Sequence, residues 1–163
     1  MRRLILAGTL VRRVIIVIFG ILLIPQAIEL FSVEDNSKAE LKALEQDGPV
    51  SVYETNALMH IDRDVFTVNA VYITPKQIVL HYTLHKAEPG GWSFPHSAVK
   101  VIGPNGEEPF QHSAGSNGKP WGTEGTLHFD AIKGSYNSLK VKYDLYDRQA
   151  TVNIPLTQEG EHQ

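Results

Sequence analysis

Residues 139–146 read Leu139-Lys140-Val141-Lys142-Tyr143-Asp144-Leu145-Tyr146. Leucine, valine, tyrosine and leucine fall on one side, and Lys140, Lys142 and Asp144 fall on the other. A period of two is the mark of a strand with one buried and one wet face. A helical reading fails, because residues three apart, such as Leu139 and Lys142 or Val141 and Asp144, differ in character. The same period recurs along the chain. Phe66, Val68, Ala70 and Tyr72 form one face, and Ile78, Leu80, Tyr82 and Leu84 form another. Leu127, Phe129 and Ala131 follow, then Ala150, Val152 and Ile154. Half-buried alternation of this kind belongs to antiparallel sheets.

Turn signals separate these runs. Thr74-Pro-Lys-Gln77 breaks one pair, and Gly103-Pro-Asn-Gly106 predicts a hairpin turn. Glu88-Pro-Gly-Gly91 and Gly115-Ser-Asn-Gly-Lys-Pro120 predict longer loops. About seven to nine strands over residues 49–157 predict a mainly β, immunoglobulin-like antiparallel β-sandwich. A small barrel is the alternative. Residues 158–163 read as a flexible tail.

The first third of the chain has a different character. Arg2, Arg3, Arg12 and Arg13 are the only charges before an apolar run over residues 14–31, and that run ends in Glu29-Leu-Phe. As a helix it spans ~27 Å, enough to cross a ~30 Å hydrocarbon core if the arginines reach to the headgroups. Basic residues before it and Glu34 and Asp35 after it put the amino terminus in the cytoplasm and the body outside. A cleavable signal is the competing reading. Cutting after Ala27 puts Pro25 at the −3 position, which suits a signal peptidase poorly. The organisation expected is therefore a cytoplasmic basic segment (1–13), a transmembrane signal anchor (14–31), a juxtamembrane linker (32–48), the β domain and the tail. Within the linker, Ser37 and Glu40 have capping-box spacing, and Gly48 is a natural stop. That predicts a short helix from Lys38.

Composition limits the functions open to the body. Of the 15 basic residues four precede position 14, and of the 18 acidic ones only Glu29 precedes Ser32. The remainder therefore carries eleven basic against seventeen acidic side chains, a poor partner for nucleic acid. The chain has no cysteine, which removes disulfides, thiolate metal sites and cysteine nucleophiles. No glycosylation acceptor of the Asn-x-Ser/Thr type occurs.

Seven histidines invite a test for metal. His81 and His85, four apart on a strand, are ~13 Å from each other and cannot share an ion. His128 and Asp130 share a face at better spacing and are the weak candidates, with His96 or His112 as further ligands from loops. The pairs Asp62/Asp64 and Glu107/Glu108 read as solvated loop charges. No Gly-x-Ser-x-Gly elbow or phosphate-loop order is present. No cofactor, metal or catalytic residue is assigned, and the chain is not expected to be an enzyme. The aromatic residues carry the binding candidates: Trp92, Phe94 and His96 in one segment, which forms either an aromatic loop tip or a core edge, and Trp121 in Lys-Pro-Trp-Gly. Each tryptophan either plugs an end of the core or grips a glycan or protein partner.

The segments VFTVNAVYITPKQIVLHYTLHK and LKVKYDLYDRQATVNIPL, behind an Arg-flanked span, resemble a group of poorly characterised anchored proteins of Gram-positive bacteria. The resemblance covers about residues 60–156. It implies an immunoglobulin-like domain outside the membrane; some such proteins accompany extracytoplasmic-function sigma factors. Two functions follow as expectations. One is protein–protein contact or envelope sensing. The other is binding of a small ligand or cell-wall glycan through the loop tryptophans.

Overall fold

The computed structural model describes residues 13, 15, 17–19, 21, 40–88 and 93–157. Two compact units divide the chain, Met1–Ala43 and Leu44–Gln163. In the first, the described residues are all helical, and Ile15, Val17, Ile18, Phe19 and Ile21 are exposed. Among the described residues no helix is long and apolar enough to cross a membrane. Most of the expected span over 14–31 lies outside the described residues, as do Arg2, Arg3, Arg12, Ser37, Trp92 and the tail. The short linker helix is seen over residues 40–44 and runs into a 3-10 turn, Glu45–Asp47. Gly48 ends it as read. Its φ is 123°, and its N–H bonds the Glu45 carbonyl at 3.3 Å.

The second unit is a β domain. Its strands are β1 (Ser51–Ile61), β2 (Asp64–Ile73), β3 (Gln77–His85), β4 (Val99–Ile102), β5 (Gln111–Lys119), β6 (Gly122–Asp130), β7 (Ser138–Leu145) and β8 (Arg148–Pro155). They form two antiparallel sheets, ordered β1-β2-β3-β6-β5 and β4-β7-β8. The inner faces share one core. Phe66, Val68, Ile78, Leu80, Tyr82, Leu84, Leu127 and Phe129 enter it from the larger sheet. Val99, Val101, Leu139, Val141, Tyr143 and Ile154 enter it from the smaller one. The alternation read at 139–146, 78–84 and 127–129 is thus the core alternation itself.

Three expectations need correction. The first concerns the face Phe66, Val68, Ala70, Tyr72. The β2–β3 register shifts between Val68 and Ala70, which leaves Asn69 as an extra residue. Its side-chain amide donates to Thr83 Oγ1 at 2.7 Å. One inserted residue flips a period of two. Val71 is therefore in the core with Phe66 and Val68, and Tyr72 lies across the sheet against His81, with ring centroids 4.8 Å apart.

The second concerns the turn at 103–106. It forms, with Gly106 at φ 86° and its N–H on the Gly103 carbonyl at 3.0 Å. It does not join a hairpin, because β4 pairs with β7 and β5 pairs with β6. Pro109 has no N–H to give to a ladder with β4. The chain instead crosses to the other sheet, where Asp130 N–H bonds the Phe110 carbonyl at 3.0 Å.

The third concerns 115–120, read as a loop. Residues 115–119 belong to β5, a full edge strand of the larger sheet. Its two faces are exposed along almost its whole length. No apolar alternation is required of such a strand, so its composition is free to look like a loop. The turn at 74–77, by contrast, closes the β2–β3 hairpin as expected. Thr74 N–H bonds the Gln77 carbonyl at 2.9 Å, and Thr74 Oγ1 accepts from the Lys76 and Gln77 amides.

Candidate functional site

Strand alternation decides where the histidines go. Leu127 and Phe129 point into the core, so His128 and Asp130 take the outer face of the larger sheet. The β5–β6 register shifts between Gln111 and Ser113 and brings His112 alongside them. His112 Nδ1 is 3.5 Å from Asp130 Oδ1, and its ring centroid is 6.0 Å from that of His128.

Gln77 holds His128 from the other side. Gln77 Nε2 donates to Asp47 Oδ2 at 2.6 Å, which leaves Oε1 to accept from His128 Nδ1 at 3.1 Å. The neutral imidazole then carries its proton on Nδ1. The Gln77 bond, followed by that from Lys76, holds the Asp47 carboxyl below the usual carboxylate range. The weak metal candidates thus each lie beside His112, but His96 does not join them. Among the described residues no three His, Asp or Glu side chains are placed to hold an ion. The cluster joins the start of β3 to β6 and the 3-10 turn.

His81 and His85 also lie on the outer face. The Trp121 indole stacks on His85, with centroids 4.3 Å apart and planes 13° from parallel. Trp121 is half-buried there and does not plug the core; its backbone carbonyl accepts from Lys86 N–H at 3.0 Å. The acidic pairs are turn anchors. Asp62 meets Arg148 at 2.9 Å, and Asp64 accepts from Ala87 N–H at 2.9 Å. Glu107 accepts from the Asn105 backbone and side-chain amides at 3.1 and 3.0 Å, and Glu108 meets Lys100 at 2.6 Å.

Phe94 belongs to the inside, and His96 is half-buried beside it. Phe94 is 5% exposed and stacks on Phe66 at 5.5 Å and on Tyr143 at 5.9 Å. It bridges the two sheets as the chain crosses from β3 to β4, so it serves as core and not as a binding platform. Beside it, His96 Nε2 is 2.8 Å from Tyr82 Oη. Tyr82 also shares a hydrogen bond with Ser116 of β5. Burial pushes the Tyr82 phenol up to about 12, the Ser116 bond working the other way. Burial holds the His96 imidazole below its ordinary value. A protonated phenol donating to a neutral Nε2, with the Ser116 hydroxyl donating to Oη, satisfies all three groups.

The His96 shift has a consequence for stability. The unfolded imidazole takes up its proton around the ordinary 6.5, whereas the folded one resists it. Stability attributable to this group is complete above that pH and is lost as pH falls through the folded value. His96→Gln keeps a polar partner for Tyr82 but does not titrate. Its urea midpoint should fall less between pH 7.5 and 5 than that of the unmodified chain. Equal falls would remove His96 from the account.

Two clefts are lined by described residues. One, about 390 Å³, opens on the inner side of β5 and is lined by Lys86, Ser93, Phe94, His96, Ser116, Gly118, Lys119, Pro120, Gly122 and Thr123. The other, about 520 Å³, lies at an end of the domain between Tyr53 and Tyr136, with Ile73, Pro75, Ile132 and Lys133 among its walls. Sequence reading missed Lys86, Lys119 and the whole of β5.

Comparison with protein-family models, with curated proteins and with solved structures gives no match.

Proposed function

We propose that this chain is a non-catalytic binding domain with an immunoglobulin-like fold. Residues 14–31 hold it at a membrane with the β domain on the extracytoplasmic side, and it acts by contact with another protein of the envelope. Strand order supports the fold. With β1 set aside, β2-β3-β6-β5 and β4-β7-β8 follow the ABED and CFG order of a constant-type domain. The placement of the arginines and of Glu34 and Asp35 supports the orientation. The layout resembles that of the anchored Gram-positive proteins described above.

The observation that carries the functional reading is β5. It is a nine-residue edge strand, exposed on both faces, with no proline and with no charged side chain between His112 and Lys119. Proteins ordinarily blunt such an edge with charge, proline or a cover. An edge left open over this length is a surface for a partner. The glycan alternative loses Phe94 to the core and keeps Trp121 only as a half-buried stack on His85.

Site-specific photocrosslinking tests the reading. A photoreactive residue at Ser113 or Asn117 on β5 should yield a discrete crosslinked product in native cells, recovered with the membranes. The same group at exposed Thr151 on β8 should not. Absence of a product from β5, or equal products from both strands, sinks the proposal.

A further inference from the structure

We infer that Asn117-Gly118, on the open edge of β5, is a site at which the chain modifies itself: Asn117 loses its side-chain amide by cyclising onto the Gly118 nitrogen, and water opens the ring to an aspartyl or isoaspartyl residue. This chemistry goes beyond the protein-contact reading above and is independent of it.

The dipeptide occurs twice in the chain, as Asn105-Gly106 and Asn117-Gly118. Glycine after asparagine favours the reaction, because no side chain shields the attacking nitrogen and the main chain turns freely there. A bond forms between the Gly118 nitrogen and Asn117 Cγ. The Cγ–Nδ2 bond breaks, and Nδ2 leaves as ammonia with the proton of the Gly118 N–H. The cyclic imide then takes up one water. Opening at Cγ restores the ordinary main chain, with a carboxylate in place of the amide. Opening at the main-chain carbonyl leaves the chain running through Cγ, one carbon longer.

The fold treats the two dipeptides differently. At 105 both reacting groups are engaged. Gly106 N–H donates to the Gly103 carbonyl at 3.0 Å. The Asn105 side-chain amide donates to Glu107 Oε1 at 3.0 Å, and its main-chain N–H donates to Oε2 at 3.1 Å. At 117 neither group is held. Among the described residues the Asn117 side chain has no hydrogen-bond partner. Lys119 and Gly122 pair across the two-residue β5–β6 turn, and the Gly115 carbonyl oxygen lies against Gly125 of β6. Alternate residues of a strand turn their main-chain groups to opposite edges. Gly115, Asn117 and Lys119 therefore face β6, and the Gly118 N–H faces outward. An added Cβ at Gly118 meets nothing within 4 Å, so the space around this residue is open.

Attack requires the Asn117 backbone to leave the extended conformation, so the reaction proceeds from local openings of the strand. β5 suits such openings. It is paired on one side only, is exposed on both faces and has glycine at 115 and 118.

The product changes the edge. Asn117 stands directly opposite Glu124, which already draws the Lys119 ammonium to 3.4 Å. A carboxylate at 117 meets that of Glu124 across the ladder, and like charges so placed loosen a strand pair. The extra main-chain carbon of the isoaspartyl form puts the β5–β6 register out as well. With age the chain thus acquires the charged edge by which sheets ordinarily discourage pairing.

Full-length chain in detergent is incubated at neutral pH. Peptides spanning both dipeptides are followed by mass spectrometry, and isoaspartyl groups are labelled with an isoaspartyl methyltransferase. Conversion at 117 should exceed that at 105 by roughly tenfold or more, the difference set by local opening. Gly118→Ala shields the nitrogen without crowding the fold and should slow conversion at 117 by roughly tenfold. In urea the rates at the two sites should converge. Hydrogen exchange of the converted chain should show lost protection in β5 and its β6 partners, with β7 and β8 unchanged. Equal or faster conversion at 105 in the folded chain overturns the inference. So does a rate at 117 that Gly118→Ala leaves unaltered, or a preference for 117 that persists in urea. Undiminished protection of β5 after conversion overturns the effect on the edge.

Discussion

Phe66→Ala is expected to cost the β domain about 4 kcal/mol, the usual range for emptying a buried phenylalanine site. Phe66 is fully buried and stacks on Tyr82 at 5.0 Å and on Phe94 at 5.5 Å. Through Phe94 the stack reaches Tyr143 on β7. One ring therefore supports aromatic packing that ties the two sheets together. Its removal leaves a cavity that the rigid strands on either side cannot collapse into. For a domain of this size the loss corresponds to a fall of roughly 15 °C in melting temperature. Thermal circular dichroism of the full chain in detergent measures it. Phe66→Leu, which refills most of the volume, should recover more than half of the loss. A shift under ~5 °C for the alanine variant would show that the stack is not the centre of the core.

Gly125→Ala should separate the edge from the fold. An alanine Cβ at this position would stand 2.2 Å from the Gly115 carbonyl oxygen, 3.0 Å from Ser116 Cα and 2.9 Å from Tyr82 Oη. The first two are backbone atoms of β5, and the third belongs to a buried side chain held by His96. The cheapest response is for β5 to move away from β6. The expected cost is on the order of 2–3 kcal/mol, in the range for overpacking. Hydrogen exchange should show loss of protection confined to the β5 amides and their β6 partners, while β7 and β8 remain protected. Crosslinking from Asn117 should drop with it. Gly118→Ala is the control: its added Cβ meets nothing within 4 Å, and its stability should not change. Equal effects of the two substitutions would mean that the close approach at Gly125 is not what seats the edge.

These two positions mark the limit of what could be read ahead. Phe66 stood out in the chain as part of a period-two face, and it does lie in the core. Gly125 and the residues opposite it gave no pattern at all. A strand exposed on both faces has no side that must be apolar, so β5 carries none of the alternation that revealed β3 or β7. Asn69 shows the same limit inside a strand that was recognised. Nothing in Phe-Thr-Val-Asn-Ala-Val-Tyr signals where one residue is left out of the ladder, yet that decides whether Tyr72 or Val71 is buried. Among the site candidates, Phe94 read equally as a loop tip or a core edge, and only the pairing of the sheets puts it in the core. His112, His128 and Asp130 meet only because β5 shifts register where it joins β6.

The amino-acid sequence by itself determined the class of this protein. Side chains of period two can bury one face only as strands, and an acidic body without cysteine cannot staple itself by disulfides or present thiolate chemistry. The placement of four arginines ahead of an apolar run likewise sets the expected direction across a membrane without help from the fold. Only the tertiary structure decided which strand is an edge, which sheet each run joins and which aromatic residues are inside. Those outcomes depend on backbone pairing between residues far apart in the chain. Main-chain N–H and C=O groups are the same at every position, and they leave no mark on composition.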